Sequence, residues 1–144
     1  METITVVGVE YIAHRLAKEL FASSEPIPEF STRYPHRLES CLATPFLTFG
    51  GSTLYPTLIA KGGILFYLMI KNHPFQNGNK RIAMTTLFVF LFINDQWLKV
   101  DHDELYQFAV WIAESHARSK GGAVQAIETF LKAHIVDLES RESS

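Results

Sequence analysis

The sequence predicts an all-α fold, a compact bundle of helices around a buried central helix. The chain has 144 residues, of which 47% are hydrophobic and 19% charged, enough apolar surface to form a core without disulfides. Apolar residues recur at three- and four-residue steps, the spacing of one helix face. The apolar runs at 64–70 and 87–93 are too short to span a membrane and are typical of buried helices. We therefore expect one domain over residues 1–144, no membrane segment, and a frayed polar tail at 138–144.

Apolar spacing predicts the first helix, which we expect to end near Phe21. Its inward residues are Val9, Ile12, Ala13, Leu16 and Leu20. Residues 22–57 then hold five of the six prolines, together with Gly50 and Gly51. This composition predicts an irregular segment with a helix over 37–43 and a short β-hairpin flap around 49–52. Irregular segments on a rigid scaffold commonly carry recognition, so we expect a partner-facing surface here.

The rest of the chain is predicted to be helical. The expected helices cover 58–70, 79–93, 102–117 and, after a break at Gly121 and Gly122, a last stretch that ends at Leu138. The second of these is apolar nearly all round, which is typical of a central helix covered by its neighbours. The third follows a capping box that starts at Asp101, and we expect it to turn Trp111 inward with its other apolar residues.

Charge and residue usage exclude several classes of function. The formal net charge is -2, which argues against a broad nucleic-acid surface. The single cysteine, Cys41, cannot form an internal disulfide, so a reducing compartment is expected. The six histidines show no pair at the spacing of zinc ligands on a helix. The N-terminus lacks the pattern of a signal peptide, and we therefore expect a cytoplasmic protein.

A polar connection, Asn72-His73-Pro74-Phe75-Gln76-Asn77-Gly78-Asn79-Lys80-Arg81, lies between the two most hydrophobic helices. Asn77 and Gly78 favour a turn followed by a helix start, where the first-turn amides have no intrahelical acceptor. The helix dipole places about half a positive charge at that end, so Lys80 and Arg81 are unfavourable there for stability. An anion would resolve this conflict. The pattern predicts a phosphate cradled by backbone amides, Lys80 and Arg81.

Three other side chains of this connection are candidates for chemistry. His73 has a near-neutral intrinsic pKa, which suits it to accept a proton from an attacking hydroxyl. We expect Phe75 to anchor the loop in the core, a burial that contributes about 2 kcal/mol. Asn77 and Asn79 offer amide groups to a metal or to phosphate oxygens.

These residues also have plain structural interpretations. A lone histidine in a turn is more often a surface residue than a base, and Asn77 is equally expected as a helix cap. Lys80 and Arg81 are by default a solvated pair. His14, which has apolar neighbours on the first helix, is expected to be a packing residue whose hydrogen bonds are satisfied.

The string from His73 to Arg81 resembles the signature of the Fic/Doc family, His-Pro-Phe, any residue, an acid, then Gly-Asn-Gly/Lys-Arg. Lys80 and the following Ile82-Ala83, with the upstream stretches 37–40 and 55–57, resemble the Doc branch, the death-on-curing toxins of toxin-antitoxin pairs. The resemblance implies an all-helical Fic-like fold in which the motif loop lies at the start of the central helix.

The resemblance also implies an activity. Family members transfer AMP from ATP to a protein hydroxyl, whereas the Doc branch moves the terminal phosphate of ATP onto a threonine of elongation factor Tu, with Mg²⁺ as cofactor. By position, His73 is implied to be the general base. The implied phosphate nest consists of Gly78, Asn79 and Lys80, and Arg81 is the implied phosphate clamp. No self-inhibitory Ser/Thr-to-Glu pattern occurs in the chain, so an antitoxin in trans is implied.

Two departures from the family pattern keep alternatives open. Asn77 replaces the acidic metal ligand, and Met84 stands where the AMP-transferring branch has a second arginine. The second departure favours phosphate transfer over AMP transfer, which is the alternative enzymatic activity. The first favours a weakly active or inactive relative that binds a nucleotide or a partner protein. A helical interaction module whose loop is only a turn is the third reading.

Overall fold

The structure, a computed structural model, describes residues 1–20 and 26–138 of the chain. The expected end of the first helix near Phe21 and most of the expected frayed tail lie outside these residues. Helix α1 has three parts: Val6–Gly8, a π-helical segment Val9–Ala13, and His14–Leu20. The later helices are α2 (Pro35–Ala43), α3 (Leu58–Lys71), α4 (Asn79–Ile93), α5 (His102–Glu114) and α6 (Lys120–His134). The prediction of an all-α bundle is confirmed.

Helices α3 and α4 form the centre of the bundle. Residues 61–70 of α3 and 81–91 of α4 are all buried, as the two apolar runs predict. Helix α4 packs on α3, α1 and α5, while α6 covers the other side of α3. Of the helices in the described residues, none combines the length and the apolar character needed to cross a membrane.

Two glycines let α6 approach α3 closely. A Cβ added at Gly62 would lie 3.4 Å from Leu131 Cδ1, and one at Gly63 would lie 3.1 Å from Glu128 Cγ. The nearest atoms therefore belong to side chains of α6. The tight contact is the one at Gly63, whereas the contact at Gly62 has an ordinary van der Waals distance.

Two small antiparallel sheets complete the described fold. The predicted hairpin is present: β1 (Thr48–Phe49) pairs with β2 (Ser52–Thr53). Gly50 and Gly51 form its turn with φ angles of 58° and 83°, which suit a two-residue hairpin loop.

The second sheet corrects the sequence prediction for the end of the chain. β3 (Gln96–Leu98) pairs with β4 (Ile135–Asp137), where a helix through Leu138 was expected. β-branched residues in β4 favour a strand once a partner is available. Gly121 and Gly122 were expected to break the chain, but both lie inside α6.

Details of two predicted helices are wrong. Ile12 and Leu20 of α1 are 53% and 47% exposed, because the π-helical segment rotates the buried face toward His14 and Ala17. Trp111 of α5 is 50% exposed instead of inward. Helix α5 ends at Glu114, and the side chain at its N-cap, Asp101, makes no capping hydrogen bond.

Candidate active site

The motif loop, residues 72–78, connects the C-terminus of α3 to the N-terminus of α4. His73 is exposed and has a φ of 47°, a conformation that non-glycine residues rarely adopt. Two neighbours hold the backbone in this shape. Arg37 Nη1 donates to the carbonyl of His73 at 3.3 Å, and the amide of Tyr34 donates to the carbonyl of Pro74 at 2.8 Å. The imidazole is thus presented to solvent from a restrained backbone.

Phe75 lies in the core directly after this exposed residue. It is 1% exposed, and its ring centroid lies 5.7 Å from that of His14 and 5.9 Å from that of Phe30. His14 in turn lies 5.4 Å from Phe30, so the three rings form one cluster. This is where the structure places the residue predicted to anchor the loop, and its anchoring role stays a prediction for mutagenesis.

His14 joins α1 to the segment that follows it. Its Nε2 lies 2.8 Å from the carbonyl of Pro28, so Nε2 carries the proton that is donated. Burial lowers the pKa of His14, and the Pro28 carbonyl opposes this effect in part. The neutral ring is therefore a packing residue with a satisfied hydrogen bond. The sequence did not indicate that it packs against the motif loop.

Asn79 braces the loop through its side chain. Its Oδ1 accepts from the amide of Phe75 at 3.0 Å, and its Nδ2 donates to the carbonyl of Phe75 at 2.9 Å. The two bonds fix the orientation of the amide group. Nδ2 also lies 3.5 Å from His73 Nδ1, which is at the limit of a hydrogen bond. The side chain of Asn79 thus positions the loop, whereas the sequence predicts it as part of the phosphate nest.

The start of α4 has the geometry of an anion-binding helix terminus. Gly78 is the N-cap, with φ 72° and ψ 16°, and its carbonyl accepts the first helical hydrogen bond from Ile82. Asn77 Oδ1 accepts from the amide of Gly78 at 2.9 Å. Within residues 1–20 and 26–138, no side chain caps the first-turn amides of Asn79 and Lys80. These amides remain available at the positive end of a 15-residue helix.

The two cations of the motif occupy different environments. Lys80 is half-buried in the first turn of α4. Arg81 is 8% exposed, and its guanidinium carbon lies 4.6 Å from the ring centroid of Tyr106 on α5. No role is predicted from the sequence for Tyr106 or Arg37, which both contact residues of the motif. Arg37 lies in the stretch 37–40 that resembles the Doc branch, whereas Tyr106 has no signal in the sequence.

A divalent cation fits the side chains of this loop poorly. Mg²⁺ is usually bound through one or two carboxylates together with substrate phosphates. Asn77 supplies a neutral oxygen that already accepts a backbone hydrogen bond. No group of three or more His, Cys, Asp or Glu side chains that could hold a metal occurs in the described part of the chain. The role of Asn77 as a weak metal ligand stays a prediction.

Cys41 is a poor candidate for a second nucleophile. It lies in α2 and is fully buried. Burial raises the pKa of its thiol to about 12, and the Asn72 side chain lowers it in part. Because the thiolate is the reactive form, Cys41 is an inert core residue at neutral pH.

The structure is a helical bundle in which an exposed histidine precedes the central helix. That helix has a glycine N-cap and two cations in its first turn, and these features define the class to which the chain belongs. Residues 4–91, which include α1 to the end of the buried part of α4, match the model of the Fic/DOC family. The chain therefore belongs to the Fic/DOC family.

One curated relative is similar over part of the chain. The chain is 36% identical over 66 residues to the Toxin Doc of Mycolicibacterium smegmatis, an alignment that covers 46% of this chain and 51% of that toxin. The match thus spans about half the length of the relative. No solved structure matches the chain.

Proposed function

We propose that the protein is a Doc-like toxin that transfers the terminal phosphate of ATP to a threonine hydroxyl of a target protein such as elongation factor Tu. The supporting observation is the exposed His73 beside the positive N-terminus of α4, where the N-cap residue Gly78 makes no side-chain capping bond. Membership of the Fic/DOC family and similarity to a toxin named Doc support the toxin class. A small antitoxin acting in trans and a cytoplasmic location belong to the same proposal.

The reaction assigns one task to each part of the site. The amides of Asn79 and Lys80, with the Lys80 ammonium, bind oxygens of the transferred phosphate and offset its charge. Arg81, oriented by Tyr106, contacts the same phosphate chain. The target hydroxyl attacks the terminal phosphorus, its proton passes to the imidazole of His73, and ADP leaves with the electron pair of the broken P–O bond.

The test is transfer to purified elongation factor Tu, with ATP labelled at the α or the γ position. Label retained only from the γ position and a mass gain of one phosphate support the proposal, whereas label from the α position supports AMP transfer. His73→Ala is expected to lower transfer by about 10²–10⁴-fold, the usual contribution of a general base. His36→Ala is the matched control, because His36 is a fully exposed histidine of α2. Equal loss in both variants would contradict a role for His73.

The second candidate is a weakly active or inactive relative that binds a nucleotide or a partner protein without turnover. The observation that favours it is Asn77, whose oxygen is already used by the amide of Gly78. Asn77→Asp restores a carboxylate at this position. A Mg²⁺-dependent gain in transfer by this variant supports an enzyme whose metal site is weakened by Asn77. Unchanged transfer contradicts a weakened metal site.

A further inference from the structure

A pocket outside the motif loop lies between the C-terminus of α5 and the N-terminus of α6. Its volume is about 570 Å³, which falls within the roughly 300–1,000 Å³ typical of small-molecule sites. The residues that line it include Trp111, Glu114, Ser115, His116, Ser119 and Gly122. None of these residues belongs to the candidate active site, so the pocket is a separate site.

Trp111, the largest side chain that lines the pocket, has an exposed aromatic ring that packs on other rings. Trp111 is 50% exposed, and its indole lies nearly parallel to the ring of Phe108, at an interplanar angle of 12° and a centroid distance of 5.7 Å. Phe108 stacks on Phe130 at 4.5 Å, and Phe130 stacks on His134 at 4.3 Å. The indole therefore ends a column of four stacked rings. Such a surface favours stacking with another planar ring.

The polar groups of the pocket supply both donors and acceptors. His116 Nδ1 accepts from the backbone amide of Arg118 at 3.1 Å, so the proton of the neutral ring lies on Nε2, which can donate. Ser115 Oγ donates to the carbonyl of Ile112 at 2.6 Å, which leaves its lone pairs as acceptors. The Glu114 carboxylate accepts as well. A mixed set of this kind matches the edge of a nucleobase.

The one carboxylate that lines the pocket favours a base ring over a phosphate. Glu114 is the only Asp, Glu, Lys or Arg among the residues that line the pocket in the described structure. A carboxylate repels a phosphate but accepts a hydrogen bond from an exocyclic amine. Two cations lie near these residues: Lys71 of α3 donates to the carbonyls of Ala113 and Ser115 at 3.2 and 2.6 Å, and Arg118 Nε donates to His116 Nδ1 at 3.4 Å.

We propose that this pocket binds the planar base of a purine nucleoside. The base stacks on Trp111, and its amine and ring nitrogens bond to Glu114 and His116. Any phosphate on the ligand points to solvent. This inference does not rest on the proposed transfer activity.

Tryptophan fluorescence of the full chain tests the proposal, because the protein has only two tryptophans. Trp97→Phe keeps an aromatic ring against Phe88 and leaves Trp111 as the single emitter. Titration of this variant with adenosine is expected to quench the emission in a saturable manner. AMP and ATP are expected to quench it with no more than a threefold gain in affinity, because their phosphates make no contact in the pocket. Ribose 5-phosphate, which lacks a base, is the negative control.

Two variants locate the ligand, with circular dichroism as the check on folding. Glu114→Gln, an exposed change of equal size, is expected to weaken adenosine binding at least threefold, and Trp111→Leu to abolish it in calorimetry. Arg81→Ala is expected to leave adenosine binding unchanged. No saturable quenching by adenosine at millimolar concentration, or quenching that Arg81→Ala removes, overturns the assignment. Failure of phosphate transfer with adenosine binding intact would affect only the proposed function.

Discussion

Replacing Gly78 by alanine tests how tightly the motif loop is packed by the segment before α2. A Cβ on Gly78 would lie 2.7 Å from Ile27 Cδ1, well inside van der Waals contact. The backbone at Gly78 is also left-handed, with φ 72°, which costs about 1–2 kcal/mol for a residue with a side chain. The clashing atom is the tip of the Ile27 side chain, so moving it adds about 1 kcal/mol, the low end of the range for overpacking. We expect Gly78→Ala to lower the free energy of unfolding by about 2–3 kcal/mol.

Gly50→Ala is the matched control for this variant. Gly50 has a φ of 58°, but no heavy atom lies within 4 Å of its added Cβ, so only the backbone cost of about 1–2 kcal/mol applies. Both variants are measured by urea denaturation, together with Ile27→Ala and the double variant Ile27→Ala/Gly78→Ala. The steric part of the Gly78 penalty should disappear in the double variant, a coupling of about 1 kcal/mol or more. A coupling near zero would refute the contact between Ile27 and the loop.

Three further changes probe the surroundings of the loop and of the hairpin. Phe75→Ala is expected to cost about 3–5 kcal/mol in urea unfolding, whereas Phe49→Ala, at a residue that is 79% exposed, should cost almost nothing; equal costs would contradict a buried anchor. The pKa of His14 is lowered in the folded state, so just below pH 6.5 only the unfolded state gains a proton. The free energy of unfolding should therefore fall as the pH drops below 6.5. His14→Gln should flatten that part of the plot of unfolding free energy against pH. Lys61 is 5% exposed and donates from Nζ to the carbonyls of Pro45 and Tyr55, which lie on either side of the hairpin. Lys61→Met should therefore speed amide hydrogen exchange of the hairpin roughly tenfold or more. Unchanged exchange would show that the hairpin does not depend on this lysine.

The parts of the fold that follow from local pattern are the parts that the sequence predicts. Helix α4 begins at Asn79 and ends at Ile93, as expected, because a glycine N-cap and an apolar run define both ends within the segment itself. The β1–β2 hairpin is likewise defined by two adjacent glycines. The β3–β4 sheet depends on a partner about 40 residues away, which no local propensity reveals.

The candidate site divides in the same way. The cation-bearing helix start can be predicted from the sequence, since the conflict with the helix dipole is local. The contact of Arg81 with Tyr106, the packing of His14 on Phe75, and the bond from Arg37 to the loop cannot, because each joins residues distant in the chain. The exposure of Trp111 could not be predicted either. Apolar spacing predicts an inward side chain, whereas in the structure Trp111 is exposed near the C-terminus of α5.

These distant contacts explain why the loop can hold His73 in an unfavourable conformation. A positive φ at a non-glycine residue costs on the order of 1–3 kcal/mol and persists only where its neighbours over-determine the backbone. Here Arg37 donates to the carbonyl of His73, and the amide of Tyr34 donates to the carbonyl of Pro74. The side chain of Asn79 bonds to both the N–H and the carbonyl of Phe75. Restraint on three successive residues fixes the imidazole relative to the start of α4. The positions of the proposed base and of the proposed phosphate site are therefore set by the same helix, because Asn79 belongs to the first turn of α4.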